Sequence, residues 1–165
     1  MEISRLGDRH VREGFDSGVA ALDEFLRKYA RQNDEKGLSR TYVATRPGEF
    51  DVLGYVTIRM GEIACASLPE AEQRRLPRYP VPMLHVARLA VDRKARGQGI
   101  GEQLLIHALS KALDAADVLG VWGVEVIAKD ESARTFYARY GFKALVDDSL
   151  HLYVSLKAVR RALSP

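Results

Sequence analysis

One glycine-rich turn, with its two neighbours, constrains this chain more than any other stretch. Arg96-Gly97-Gln98-Gly99-Ile100-Gly101 follows an apolar segment, Met83–Asp92 (MLHVARLAVD). It leads into Ile100, Leu104, Leu105, Ala108, Leu109, Ala112 and Leu113, whose three- and four-residue spacing builds one buried helix face. The pattern predicts a strand, a tight turn and a helix to about Val118. A glycine turn that opens a helix leaves backbone N–H groups unpaired at the positive end of the helix dipole, where phosphate oxygens are held well. Glycine lets a ligand approach the backbone, and Arg96 adds a fixed cation. The same six residues serve equally as an ordinary strand-to-helix turn, since short glycine motifs recur by chance. The Gly-Lys-Ser/Thr ending of a nucleotide P-loop is missing.

The remaining composition narrows the class. A chain of 165 residues, 47% hydrophobic and 28% charged, is expected to form a single soluble globular domain over residues 1–165. No apolar run approaches the roughly 20 residues of a membrane helix, and MEISRLGDRH at the start lacks an apolar signal core, so a cytoplasmic location is expected. Cys65 is the only cysteine, which excludes an internal disulfide and a thiolate metal cluster; a buried inert thiol and no metal are expected. Twenty-five basic against 22 acidic residues is a mild excess that does not by itself argue for nucleic acid. Its distribution says more. Arg74, Arg75, Arg78, Arg88, Arg93, Lys94 and Arg96 fall around the turn and just before it, with Glu70, Glu72 and Asp92 as the nearby acids. This is either a solvated surface beside a phosphate-bearing ligand or a mouth for a second polyanion such as RNA.

Elsewhere the pattern predicts a short strand near Glu2–Leu6 and an amphipathic helix carrying Leu22, Phe25, Leu26 and Tyr29, capped by Asp16 or Ser17 and ended before Gly37. Arg40–Arg46 and Val52–Met60 alternate as strands around Pro47-Gly48, a hairpin signal, and Gly61–Leu68 prolongs the second strand or starts a third. Pro69–Pro82, with four prolines and three arginines, reads as a long loop. Val121–Ala128 reads as a strand, Glu131–Arg139 as a helix capped by Asp130 and closed at Gly141, and His151–Lys157 as a last strand before a basic tail at Val159-Arg160-Arg161.

The order RLAVD (Arg88–Asp92), RGQGIG (Arg96–Gly101), VWGVEVIA (Val121–Ala128) and DESARTFYARYGF (Asp130–Phe142) resembles the GNAT superfamily of N-acetyltransferases. The resemblance implies an α+β fold with a mixed, mostly antiparallel sheet flanked by helices, and acetyl-CoA as cosubstrate. It places the coenzyme pyrophosphate on Arg96, Gly97, Gln98, Gly99, Ile100 and Gly101. The acetyl and pantetheine groups fall to the backbone amides of Leu89, Ala90 and Val91, a pre-placed oxyanion-type site, with Ala133 and Phe136 also on the coenzyme side. Tyr137 matches the tyrosine that hydrogen-bonds the departing sulfur and returns a proton to it; on composition alone it would be a core aromatic. No general base is marked by spacing: His85 is an isolated strand histidine, and Glu62 and Glu125 stand without a partner. A lysine amine, with pKa about 10.4, needs a base at neutral pH, whereas an α-amine at about 7.7–8.0 already has a usable neutral fraction. A base-poor site leans toward α-amines.

FDSGVAALDEFLRKYA (Phe15–Ala30), RTYVA (Arg40–Ala44), LGYVTI (Leu53–Ile58), LPRYPVPMLHVARLAVD (Leu76–Asp92) and AKDESARTFY (Ala128–Tyr137) extend the likeness to the GNAT toxins of bacterial toxin–antitoxin pairs. That resemblance implies acetylation of the α-amine of aminoacyl-tRNA, neutralisation by a ribbon-helix-helix antitoxin, and a homodimer. Arg75, Arg78, Arg88 and Arg93 would then contact the tRNA backbone, where such contacts supply affinity rather than sequence choice. A GNAT enzyme acting on a small amine or a protein N-terminus, and a non-catalytic acetyl-CoA-binding module, are the alternatives.

Overall fold

The computed structural model describes residues 1–164. Seven strands, β1 (Glu2–Arg5), β2 (Arg40–Thr45), β3 (Gly54–Ile63), β4 (Val81–Val91), β5 (Gly123–Ile127), β6 (Lys143–Leu145) and β7 (Asp148–Ser155), follow the order β1-β2-β3-β4-β5-β7-β6. The sheet is mixed: β4 and β5 run parallel, while β1–β2, β2–β3, β5–β7 and β6–β7 are antiparallel. The expected α+β architecture is the one observed. The chain divides into two compact units, residues 1–59 with 87–108, and residues 60–86 with 109 onward.

The first unit packs Phe15, Phe25, Leu26, Val43, Tyr55 and Ala90 into one apolar cluster. Phe15 meets the Tyr55 ring edge-on at 5.7 Å, and the buried Tyr55 hydroxyl donates to the Leu22 carbonyl at 2.7 Å. The β2–β3 hairpin turns through Pro47-Gly48, with Gly48 at φ +76 and the Glu49 N–H donating to the Arg46 carbonyl at 3.0 Å. That is the geometry Pro-Gly favours. The strand that the pattern began at Val52 starts at Gly54 and runs to Ile63. The expected amphipathic helix is a composite of α1 (Ala20–Glu24), a π-helical turn (Phe25–Tyr29) and α2 (Ala30–Glu35). Neither Asp16 nor Ser17 caps it. Its N-cap is Val19 without a side-chain bond, because the Asp16 carboxylate is taken by Gly18 N–H and Arg93 and the Ser17 hydroxyl donates to Asp23.

The second unit packs Ile63, Leu68, Val81, Met83, Leu145 and Tyr153 together. Four elements escaped the sequence reading. Gly61–Leu68, read as strand, continues β3 only to Ile63 and then forms a 3-10 turn at Cys65–Ser67, and the proline-rich loop holds the short helix α3 (Glu70–Gln73). Lys143–Leu145 adds β6, too short to show periodicity. The last strand ends at Ser155, and what read as a basic tail is α6 (Leu156–Leu163), whose N–H at Ala158 is capped by the Ser155 hydroxyl. Leu156 and Val159, three apart, turn inward and leave Arg160 and Arg161 outside. Helices α4 (Ile100–Ala116) and α5 (Glu131–Ala138) lie where expected, and Asp130 caps α5 through Ala133 N–H at 2.8 Å.

Candidate active site

The glycine turn is shaped by Asp92 and by the N-terminal segment. Asp92 follows β4, is buried, and accepts from the N–H groups of Lys94 at 2.9 Å and Asp16 at 3.1 Å. A 3-10 turn, Arg93–Ala95, follows, and then Gly97 and Gly99 take φ +78 and +76. Such angles cost a side-chain-bearing residue free energy. A Cβ built on either glycine would meet nothing within 4 Å, so both face open space. Helix α4 begins at Ile100, and its first internal bond is Gln103 N–H to the Gly99 carbonyl at 3.1 Å. The N–H groups ahead of Gln103 are therefore left for a ligand. An anionic group fits this cradle in shape and in charge.

Arg96 does not stand alone beside the turn: its Nη2 donates to the Ser17 carbonyl at 2.6 Å. Arg93 pairs with Asp16 at 2.8 Å, which holds the Asp16 carboxyl below its usual range. Arg88 lies half-buried with its guanidinium 3.7 Å from the centre of the Phe25 ring, a cation–π contact. Arg75 and Arg78 are exposed in the other unit. There Arg78 lines a cleft of about 630 Å³ with Cys65, Gln73, Arg74 and Tyr79. Thus two of the four arginines expected to face a polyanion are engaged by Asp16 and Phe25. Of the strand positions, Ala90 is buried in the first unit's core while Leu89 and Val91 are half-buried.

Tyr137 is buried on α5, against Phe136 at 5.1 Å and Phe142 at 5.5 Å between ring centres. Burial alone pushes its phenol well above the usual value, so the group is fully protonated at neutral pH. Phe136 and Ala133 are half-buried on the same helix, and Ala133 spends its N–H on the Asp130 cap. Tyr140 lies in the turn that closes α5, and Gly141 takes φ +90. Cys65 is a buried free thiol, as expected. Among the described residues no cluster could hold a metal ion, and no helix is long and apolar enough to cross a membrane.

One grouping was not legible in the sequence. His85 on β4, Glu125 on β5 and His151 on β7 meet, with His85 Nδ1 2.9 Å from Glu125 Oε1 and His151 Nε2 3.5 Å from Oε2. The signal was a glutamate inside an apolar strand. Its partners depend on sheet register, which spacing does not reveal.

Residues 37–144 match the acetyltransferase (GNAT) domain family. A protein of Mycobacterium tuberculosis (strain ATCC 25618 / H37Rv) described as a tRNA-acetylating toxin is 38% identical over 156 residues, covering 94% of this chain and 92% of that protein. The solved structure of AtaT complexed with acetyl-methionyl-tRNAfMet is 30% identical, covers 99% of both chains and superposes with a TM-score of 0.91. A mutant AtaT bound to the C-terminus of the antitoxin AtaR and to acetyl-CoA is 28% identical, covers 99% of this chain and 98% of that one, and gives 0.82.

Proposed function

The chain belongs to the GNAT acetyltransferase family, and we propose that residues 1–165 form one catalytic domain that moves the acetyl group of acetyl-CoA to the α-amine of an aminoacyl-tRNA. The observation that carries this reading is the near-full-length likeness to a tRNA-acetylating toxin. Acetylation removes the nucleophile that peptide-bond formation requires, so the product blocks translation. A small antitoxin is the matching protein partner, as AtaR is for AtaT. A homodimer working in the cytoplasm completes the proposal.

The first unit's turn, from Arg96 to Gly101, holds the pyrophosphate through backbone N–H groups and the α4 dipole. The amides of Leu89, Ala90 and Val91 take the pantetheine and the acetyl oxygen, and Ala133 and Phe136 lie on the coenzyme side. Acetyl-CoA supplies an activated thioester. Tyr137, a phenol kept neutral by burial, donates a hydrogen bond to the departing sulfur. A thiol, with pKa about 8.5, is a stronger acid than this phenol. Tyr137 therefore passes on its own proton only as it receives one from the amine nitrogen.

Labelled acetyl-CoA incubated with bulk aminoacyl-tRNA tests the reading. The expected result is label on the aminoacyl group, with kcat reduced about 10²–10³-fold in Tyr137→Phe and acetyl-CoA affinity unchanged. Tight coenzyme binding with unlabelled tRNA would redirect the assignment to small amines.

A further inference from the structure

Arg88 carries a positive charge with no acid paired to it. It is half-buried on β4, and its guanidinium lies 3.7 Å from the centre of the Phe25 ring. Among the described residues it makes that ring contact and no hydrogen bond or ion pair. None of its nitrogens is sealed off as a buried unpartnered atom, so the charge still reaches open space. The platform beneath it is fixed. Phe25 is buried, stacks on Tyr55 at 6.3 Å, and opens the π-helical turn Phe25–Tyr29, a rare geometry that recurs at functional sites. A guanidinium stays protonated at every working pH and is weakly hydrated, which suits a half-buried seat on an aromatic face. The neighbouring groups have other partners. Tyr55 of β3 donates to the Leu22 carbonyl, and Asp23 of α1 accepts from the Ser17 N–H at 2.9 Å and from the Ser17 hydroxyl at 2.7 Å. The Tyr55 phenol feels the Arg88 cation and the Asp23 carboxylate with opposite sign. On the π-helical turn, Arg27 donates to the Phe15 carbonyl and Lys28 pairs with Glu24.

We propose that Arg88 holds a fixed positive charge beside the bound amine and so drives off the ammonium proton before acetyl transfer. The inference rests on the acetyltransferase reading above. Arg88 immediately precedes Leu89, Ala90 and Val91, whose amides take the acetyl oxygen in that reading. A strand advances roughly 3.3 Å per residue, so the Arg88 Cα lies within about 10 Å of all three. The attacking nitrogen must come within about 3–3.5 Å of the acetyl carbon, which brings it into the field of the guanidinium. A like charge at such a range disfavours the ammonium by about one pKa unit at the effective dielectric of a partly buried site. For an α-amine of pKa about 7.7–8.0, this lifts the neutral share at pH 7 from roughly a tenth to about a half. The ammonium proton goes to solvent, and no side chain has to accept it. The neutral amine then forms the C–N bond as the C–S bond breaks. The proton that this nitrogen sheds replaces the one Tyr137 gives to sulfur.

The test is the single-turnover rate of acetylation at saturating aminoacyl-tRNA, followed from about pH 6 to about pH 8.5 in the parent, Arg88→Gln and Arg88→Lys, with KM for tRNA read alongside. The acid limb of that profile reports the amine in the complex. Arg88→Gln is expected to move the limb up by about one unit, losing about sixfold at pH 6.5 and less than about twofold at pH 8.5. Arg88→Lys keeps the charge and should move the limb less than about half as far. An equal shift in the two variants, or a loss equal at every pH, overturns the proposal. An unmoved limb with a raised KM for tRNA also overturns it, and returns Arg88 to the tRNA backbone. If Arg88→Gln fails to fold, Arg88→Met, whose unbranched stem still covers the Phe25 ring, is read by the same criterion. Should the parent leave tRNA unlabelled, the tRNA reading fails separately, and the same profiles are run on whichever primary amine accepts the acetyl group. Acceptance by no amine overturns both.

Discussion

Asp34 shows how one carboxylate organises the first unit. Burial alone would push its carboxyl up, but Arg5, the Thr41 N–H and Arg40 outweigh burial and hold it below the ordinary value of 3.8. A folded-state value below the unfolded one contributes stability that is present at neutral pH and is lost as pH falls through the lowered value. Asp34→Asn is expected to cost about 1–3 kcal/mol at pH 7. The gap to the parent should narrow steadily below about pH 4. Urea unfolding at pH 7, 5, 4 and 3 checks this; a constant gap would remove the ion pair from the explanation. Asp34 falls within the helix expected before Gly37, and nothing in its spacing marks it, because its partners come from β1 and β2. Tyr137, by contrast, is proposed from its place in a motif, since nothing in its spacing separates it from a core aromatic.

Elements were legible where a local rule fixed them. Pro47-Gly48 set the hairpin, Asp130 set the start of α5, and the apolar stripe from Ile100 set α4. The reading failed where the deciding force was tertiary. Helix α6 is too short for its pattern to stand out from a basic tail, and Leu156 and Val159 gain their meaning only once they are buried. The caps expected at Asp16 and Ser17 were lost because Arg93 and Asp23 compete for the same side chains. The His85–Glu125–His151 grouping needed the strand register. The turn at Gly97 and Gly99 makes a sharper claim. Because a Cβ there meets open space, the constraint is backbone conformation and not crowding. Gly97→Ala and Gly99→Ala should each leave the protein folded yet weaken acetyl-CoA binding about tenfold or more, through strain of about 1–2 kcal/mol and displacement of the N–H groups. Calorimetric titration with acetyl-CoA measures it, and unaltered affinity would show that the turn is not the phosphate cradle.

At the scale of the whole molecule, formal charge overstates the cations left for a polyanion. The chain carries +3, yet Arg93 faces Asp16, Arg88 stacks on Phe25 and Arg74 pairs with Glu70. Arg75 and Arg78 are exposed and form no ion pair among the described residues. The double reversal Arg75→Glu with Arg78→Glu should raise KM for aminoacyl-tRNA at least about tenfold and flatten its salt dependence by about one to two units of slope. KM for acetyl-CoA should not move. An unchanged KM for tRNA would take these two residues off the substrate surface. The bonds that brace the glycine turn carry a consequence in time. Those from Asp16 to Asp92, from Arg93 to Asp16 and from Arg96 to Ser17 join residues 76, 77 and 79 positions apart. Contacts of that span form late in folding, since a long loop must close first. During synthesis the earliest part of the chain waits until well over half of it has left the ribosome before the turn is braced. A nascent fragment that ends before Arg96 does not yet hold all the partners that brace the turn.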